Sequence, residues 1–156
     1  MQSEYKLGVY SEVGKLRRVM VCSPGLAHTR LTTENCDDLL FDDVLWVSQA
    51  KRDHFDFVTK MRERGVEVLE MHNLLAETVS HPEALKWILD RKITANTVGV
   101  TVMHELRAWL EGLSPRQQAE FLIGGVSVND LPKDFKPDLS KLIRVSHGSV
   151  GFAIPP

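Results

Sequence analysis

The sequence has few cysteines and no long hydrophobic run. Only Cys22 and Cys36 occur among its 156 residues, too few for a disulfide framework, which favours a reduced, cytoplasmic setting. No apolar run approaches the roughly 18 residues that span a membrane. The opening residues, MQSEYKLG, lack the apolar core of a secretory signal peptide. We therefore expect no membrane partner and no export.

The chain also has no large excess of positive or negative charge. The formal net charge is -2 at pH 7, whereas binding to a phosphate backbone needs clustered lysine and arginine. Nucleic acid is therefore not an expected partner. Hydrophobic residues make up 43% of the chain and charged residues 26%, which is ordinary for a soluble globular protein. A domain of this length buries roughly 70% of its unfolded surface, enough for a real core.

Local motifs for metal or phosphate binding are missing. The six histidines form no H-x-x-x-H pair, and none pairs with a cysteine at zinc-site spacing. His104 and Glu105 begin an H-E-x-x-H pattern that is not completed, because position 108 is alanine. Gly124 and Gly125 follow a predicted helix rather than a strand, so they do not form a phosphate loop. We expect no metal site and no cofactor.

Neither cysteine is expected to be a catalytic nucleophile, which needs a partly exposed thiolate beside a base. Cys22 ends the apolar run 19–22, which predicts a buried strand. Cys36 lies beside Asp37 and Asp38, and negative charge raises the pKa of a thiol. A structural role is predicted for both cysteines.

The stretch from residue 19 to residue 43 organises the rest of the chain. Its apolar run is stopped at residues 23–25, Ser-Pro-Gly, and a polar loop leads to the apolar tip 39–41, Leu-Leu-Phe. Asp42 or Asp43 can cap the helix that follows. The tip can pack on that helix as a hydrophobic staple, or it can contact a ligand. The acidic residues around the tip are either solvated helix caps or contacts for a cationic ligand. Composition favours the hydrophobic staple for the tip and the solvated caps for the acidic residues.

The next segments predict a crossover unit. Apolar residues at three- and four-residue spacing predict a helix over residues 43–64, with Gly65 as its left-handed end. A strand is predicted at 66–71, and a connection of this kind places strands 17–22 and 66–71 parallel in one sheet. His54 falls on or near the apolar face of the helix, where a packed, hydrogen-bonded role is more common than a catalytic one.

Residues 74–124 show almost no strand pattern and predict a helical subdomain inserted after the second strand. Its three predicted helices cover residues 82–92, 94–113 and 114–123. The segment 114–131 could also be a helix-turn-helix, but it carries too few basic residues for a recognition helix. Short elements are predicted elsewhere, namely strands at 7–10 and 149–154 and a helix at 139–145.

Several long segments closely resemble, in order, the N-terminal part of bacterial arginine deiminases. They span roughly residues 7–131. The segments are VMVCSPGLAHTRL (19–31), NCDDLLFDDV (35–44), AKRDHFDFV (50–58), VLEM (68–71), LLAET (74–78), EALKWILDRKIT (83–94) and FLIGGV (121–126). GFAIPP (151–156) also looks like the family's apolar strand and double proline.

The resemblance implies an α/β fold of the guanidino-group-modifying, or pentein, type. That fold is a five-bladed α/β propeller around a central active site, with a helical insertion in its first blade. Residues 1–73 are then expected to form the first blade, 74–126 the helical insertion, and 127–156 a loop and the start of the next strand. The chain would be the N-terminal portion of such an enzyme and would contain a partial propeller.

The resemblance also implies an activity, the hydrolysis of L-arginine to L-citrulline and ammonia without a metal or cofactor. In the family a cysteine attacks the guanidinium carbon, a histidine moves protons, acidic residues hold the guanidinium, and water releases the intermediate. These positions are expected beyond Pro156, so residues 1–156 alone should be inactive. The one expected substrate-binding residue here is Leu40, through backbone and shape. The complete enzyme is expected to be a cytoplasmic homo-oligomer.

Two alternatives stay open. The chain could be a non-catalytic helical module that binds a partner or nucleic acid, which steeply salt-dependent DNA binding would reveal. It could also be a fragment of a related dimethylarginine hydrolase or amidinotransferase, which the specific segments and the helical insertion make less favoured. In each case the crossover unit alone is expected to expose apolar surface.

Overall fold

A computed structural model describes residues 8–9, 11–37, 41–99, 102–133, 135 and 152–154, the last three by their backbone only. Short strands alternate with helices along this part of the chain. The elements in order are β1 (Arg18–Val21), α1 (Leu26–Thr29), α2 (Val47–Glu63), β2 (Glu67–Glu70), α3 (Met71–Val79), α4 (Pro82–Lys92), α5 (Ala95–Val98), α6 (Met103–Glu111), α7 (Pro115–Gly124), β3 (Val126–Ser127) and β4 (Phe152–Ile154). The fold is mixed helix and small sheet, as the predicted α/β class requires.

β1 and β2 form a parallel two-stranded sheet, which confirms the predicted crossover. Their register pairs Arg18 with Glu67 at one end and Val21 with Glu70 at the other. The first pair is reinforced on its side chains, because the Arg18 guanidinium lies 2.6 Å from a Glu67 carboxylate oxygen. Since the strands run parallel, the residues that follow Val21 and Glu70 emerge at the same edge of the sheet.

The crossover helix α2 begins four residues later than predicted. Its N-cap is Trp46, whose side chain makes no capping hydrogen bond. The predicted cap at Asp42 or Asp43 is therefore wrong. The Asp43 carboxylate instead accepts a hydrogen bond of 2.6 Å from the backbone N–H of Val44. Short acidic side chains often satisfy nearby backbone groups in this way and so compete with helix formation.

The end of α2 agrees with the prediction. Gly65 has a φ of 77°, in the left-handed region that favours glycine. Its N–H donates to the Arg62 carbonyl at 2.9 Å, and the Val66 N–H donates to the Met61 carbonyl at 3.1 Å. These two bonds define a Schellman motif, so the helix is closed and the chain is turned directly into β2.

Four of the five later helices correspond to the predicted helical region, and one was not predicted. α3 begins directly after β2, at Met71. α4 covers the predicted residues 82–92, with proline in its first turn. The single helix predicted over 94–113 is in fact α5 and α6, because the chain takes a φ of 80° at Gly99. α7 has Ser114 as its N-cap in a reciprocal capping box.

The segment after α7 is not a second helix. β3 pairs antiparallel with β4, with Val126 opposite Ile154, and a 3-10 turn occupies Val128–Asp130. The helix-turn-helix pattern is therefore not formed, whereas residues 152–154 confirm part of the predicted last strand. The predicted helix 139–145 lies outside the described residues. So do the two ends of the predicted strand 7–10, whose middle residues, Gly8 and Val9, are not in a strand.

The main buried cluster lies among the later helices and the segment after them. Its buried members are Leu89, Ile93, Val98, Leu106, Leu110, Val126 and Leu131. A buried amide joins this packing, since Gln118 donates to the Leu110 carbonyl at 3.0 Å. No helix of the described part of the chain is long and apolar enough to cross a membrane. The predicted division at residues 73 and 126 stays a prediction.

Candidate functional site

Leu40, the predicted substrate-binding residue, lies outside the described residues, but the chain on both sides of it is described. Before it, Leu31, Asn35 and Cys36 are buried. After it, the Phe41 N–H donates to the Cys36 carbonyl at 2.9 Å. This hydrogen bond joins residues 36 and 41, which flank residues 37–40, and we call those residues the Leu40 segment. The two ends of the segment are therefore held together.

Aromatic and amide contacts add to this loop base, which we define as residues 30–36. The Asn35 side-chain amide donates to the Arg30 carbonyl at 2.9 Å, while its oxygen accepts from the Thr32 N–H at 2.7 Å. The Phe41 ring stands edge-on to the His28 ring, with centroids 5.8 Å apart. Phe41 therefore contacts the α1 segment at this ring, rather than being only a staple on the helix that follows.

Arg30 links the loop base to the end of the helical region. Its guanidinium donates to the Gly124 carbonyl at 2.9 Å and to the Asp130 carboxylate at 2.5 Å. The Arg30 side chain is only 8% exposed, so this ion pair is screened less by water and salt than a surface pair. Asp130 also accepts from the Ser127 N–H at 2.6 Å, which fixes the carboxylate in place.

Close packing reinforces the same junction. A Cβ at Gly124 would lie 2.6 Å from the Leu26 Cβ, closer than such atoms approach in proteins. Glycine at this position therefore allows α1 to contact α7 directly. The loop base is thus held by contacts with residues about 100 positions distant in sequence, which link two parts of the fold.

A second group of polar side chains lies at the shared edge of β1 and β2, and we call it the strand-end cluster: Cys22, Glu70 and His72. Cys22 follows β1, Glu70 ends β2, and His72 lies in the first turn of α3. The Cys22 sulfur is 4.0 Å from His72 Nδ1, which is 3.2 Å from Glu70 Oε1. One ligand atom from each residue lies within 4.8 Å of the other two.

Glu70 is held as a carboxylate. Partial burial opposes its ionisation, but hydrogen bonds from the Ser23 N–H, at 2.9 Å, and from His72 outweigh burial and lower the pKa of Glu70. The same bond to Ser23 fixes the turn that follows β1. Glu70 therefore connects the ends of the two strands and carries a negative charge at neutral pH.

Cys22 is exposed, which contradicts the predicted burial. The reason is local, because β1 ends at Val21 and Cys22 lies outside the strand, in the segment that leads to α1. Partial desolvation of the thiol and then the charge of Glu70 raise the pKa of Cys22. The thiol form is therefore favoured, so the expectation that Cys22 is not an activated nucleophile stands on a different ground. Cys36 is buried, as a structural role requires.

His54 contacts the strand-end cluster from α2. Its Nε2 lies 3.7 Å from Glu70 Oε2, too far for a hydrogen bond. That nitrogen is buried and has no hydrogen-bond partner among the residues that the structure describes. The prediction of a packed histidine is therefore met, but the predicted hydrogen bond is not found. No local spacing indicated the cluster, since Cys22 and His72 are 50 residues apart.

Comparison with known proteins identifies the class of protein to which this fold and loop belong. The family model for arginine deiminase matches residues 37–156. The chain is 40% identical over 152 residues to the arginine deiminase of Mycobacterium avium (strain 104), a match that covers 97% of this chain and 38% of that protein. The chain belongs to the arginine deiminase family and spans 38% of the length of that curated relative.

Proposed function

We propose that this chain is the N-terminal portion of an enzyme that hydrolyses L-arginine to L-citrulline and ammonia. The observation that carries the proposal is the family match, which extends over residues 37–156 and is supported by 40% identity to an arginine deiminase across 97% of the chain. In this proposal residues 1–73 form the first blade of a propeller, 74–126 its helical insertion, and 127–156 the entry to the next blade. The complete enzyme is cytoplasmic and oligomeric.

The Leu40 segment forms one wall of the arginine pocket in this proposal, near the α-amino end of the substrate. Its support is the rigidity of the loop base. The Phe41-to-Cys36 hydrogen bond and the Arg30 ion pair with Asp130 hold the flanking residues at fixed positions. A pocket wall needs such support because small displacements of a positioned group reduce catalysis strongly.

The reactive groups come from other parts of the complete enzyme. Cys22 carries a raised pKa and Cys36 is buried, so neither thiol has the environment of an activated nucleophile. Acidic residues that would hold a guanidinium are expected beyond residue 156. The chain alone therefore contributes shape and support to the pocket and does not carry out the hydrolysis.

Two assays test the proposal. Residues 1–156, incubated with L-arginine, should give no citrulline above a protein-free control. A chimera of the Mycobacterium avium relative that carries residues 1–156 in place of its matching segment should produce citrulline. Citrulline from the chain alone would overturn the assignment of the reactive groups. A folded but inactive chimera, beside an active unmodified relative, would overturn the proposed function.

A variant pair tests the role of Leu40 in the same chimera. Leu40→Ala should raise the KM for arginine about tenfold while kcat is largely kept, because shortening a pocket-lining side chain removes binding of that order. The matched control is Leu45→Ala, which shortens a leucine that is 36% exposed shortly after the loop. Equal KM values for the two variants would show that the Leu40 side chain does not line the pocket.

A further inference from the structure

The strand-end cluster contains three side chains of the types that bind transition metals. A thiolate, an imidazole and a carboxylate are the common zinc ligands in proteins. Cys22, Glu70 and His72 present one such atom each, all within 4.8 Å of one another. The parallel register of β1 and β2 creates this arrangement, because it brings the residues after Val21 and at Glu70 to the same edge.

We infer that Cys22, Glu70 and His72 form a binding site for a divalent transition metal ion of the zinc type. Zinc bonds of about 2.0–2.3 Å in tetrahedral geometry place neighbouring ligand atoms about 3.3–3.8 Å apart. The observed separations are 3.2 Å between Glu70 and His72 and 4.0 Å between His72 and Cys22. Shifts of a few tenths of an ångström bring these two pairs to the zinc distances. The third pair, Cys22 and Glu70, lies within 4.8 Å, and a water molecule completes the four ligands.

The charges fit this site, and metal binding requires one change of the His72 tautomer. A Cβ at Gly25 would lie 3.5 Å from His72 Nε2, so that nitrogen lies beside the turn after β1, while Nδ1 is the ring nitrogen nearest Cys22 and Glu70. On binding, the ion forms bonds to sulfur and to Nδ1. The thiol proton passes to solvent, and the Nδ1 proton that now bonds Glu70 is exchanged through solvent to Nε2. One thiolate and one carboxylate then balance the two positive charges of the ion, and the imidazole stays neutral.

His54 has a supporting position outside the three ligands. Its buried Nε2 has no hydrogen-bond partner among the described residues, and it lies 3.7 Å from the second oxygen of Glu70. A buried polar atom in this state is costly and usually signals a missing partner. Once the ion fixes the Glu70 carboxylate, a small approach lets His54 donate to it, as outer neighbours of metal ligands commonly do.

This inference departs from the sequence-based expectation of no metal site. That expectation considered ligands at short spacings, as in H-x-x-x-H or C-x-x-C. Here the first ligand is separated from the other two by 48 and 50 residues, and only the pairing of two strands brings them together. The inference does not depend on the proposed arginine hydrolysis, which needs no metal.

The test is a zinc titration of the full chain against a chromophoric chelator, with cobalt as a spectroscopic probe. The chain should bind one equivalent of zinc, and the cobalt form should show a thiolate-to-metal charge-transfer band. Cys22→Ser should weaken zinc binding at least about 100-fold and abolish the band, because even outer-shell changes reduce metal affinity about 10–100-fold. His54→Asn, a change outside the three ligands, should weaken zinc binding less than Cys22→Ser does, by about 10–100-fold.

The matched control is Cys36→Ser, which removes the buried thiol on the loop base and should leave both readouts unchanged. Because Cys22 is exposed, Cys22→Ser should fold, which its circular dichroism spectrum can verify. His72→Asn gives a second, independent ligand removal with the same expected loss. Absence of saturable zinc binding by the unaltered chain would overturn the inference. Unchanged affinity in folded Cys22→Ser would overturn it as well.

Discussion

Replacement of Arg30 tests whether the loop base is held by the junction with α7. Arg30→Met keeps most of the side-chain volume and removes the guanidinium. It breaks the hydrogen bond to the Gly124 carbonyl and the ion pair with Asp130. Gly124 is buried, so its carbonyl loses a partner where water has little access. Asp130 keeps the N–H of Ser127 but becomes a shielded charge without its cation.

The expected loss follows from these contacts. Hydrogen bonds to charged groups contribute about 1.5–3 kcal/mol each, and breaking a buried ion pair costs about 3–5 kcal/mol. Asp130 retains 21% exposure of its side chain, so water compensates part of the lost pairing. We expect a decrease of about 3 kcal/mol in the free energy of unfolding. A domain stability of about 5–15 kcal/mol leaves most of the variant folded.

Urea unfolding of the full chain, followed by circular dichroism, measures this loss. With a slope near 2 kcal/mol per molar urea, the midpoint should fall by about 1.5 M. The matched control is Arg107→Met, because Arg107 pairs with Asp90 at 2.6 Å on the surface, where Asp90 is 40% exposed. An exposed pair of this kind contributes at most about 1 kcal/mol.

The reasoning fails if Arg30→Met destabilises the chain no more than Arg107→Met does. A double-mutant cycle with Asp130→Asn separates the pairing from the loss of packing. The Arg30 and Asp130 changes should be non-additive by about 1 kcal/mol or more, because they share one interaction. Additive effects would show that Arg30 does not act through its pair with Asp130.

Three further changes have expected outcomes. Gly124→Ala should lower the free energy of unfolding by about 2 kcal/mol in the same urea assay, since the new methyl would overlap Leu26. Hydrogen bonds from cations, Lys86 first, lower the pKa of Asp90. The stabilisation from ionised Asp90 is therefore full above an unfolded-state pKa of about 3.9 and is lost as pH falls through the folded-state pKa. In Asp90→Asn the free energy of unfolding should fall less steeply with pH over that range. The purified chain should self-associate during sedimentation, and Phe55→Ser, at a position 65% exposed, should reduce this; a monodisperse unaltered chain would contradict it.

The elements predicted well from sequence are those whose signals are local. Proline in the first turn of α4 and the capping box at Ser114 mark helix starts through neighbouring atoms. Gly65 marks a helix end because only glycine adopts its conformation without strain. The parallel pairing of β1 and β2 was also predictable, since a strand, a helix and a strand in succession have few other arrangements.

The errors in the predicted helix bounds occur where two local conformations compete for the same residues. The apolar pattern continues through Val44, but Asp43 bonds to that N–H, and α2 starts only at Val47. Periodicity alone could not show the break at Gly99, because the residues on both sides keep helical spacing. α3 was not predicted; the predicted strand 66–71 was extended to Met71, where the helix begins.

The two candidate sites differ in what could have revealed them. Leu40 came from the family resemblance, because an apolar side chain that acts by shape carries no chemical signature. Cys22 and His72 do carry such a signature, but they lie close together only because β1 and β2 pair in parallel and because Cys22 is exposed. The predicted burial of Cys22 removed it from consideration, so an error in local structure concealed the cluster.

The short helix α1 connects the two candidate sites. At its start, Gly25 borders the His72 ring of the strand-end cluster. At its end, Arg30 anchors the loop base to Gly124 and Asp130. Four helical residues extend only about 6 Å, and Leu26 is packed directly on α7, which leaves the segment little freedom to absorb a displacement at either end. The strand-end cluster and the loop base are therefore joined by a single turn of helix that also packs on α7.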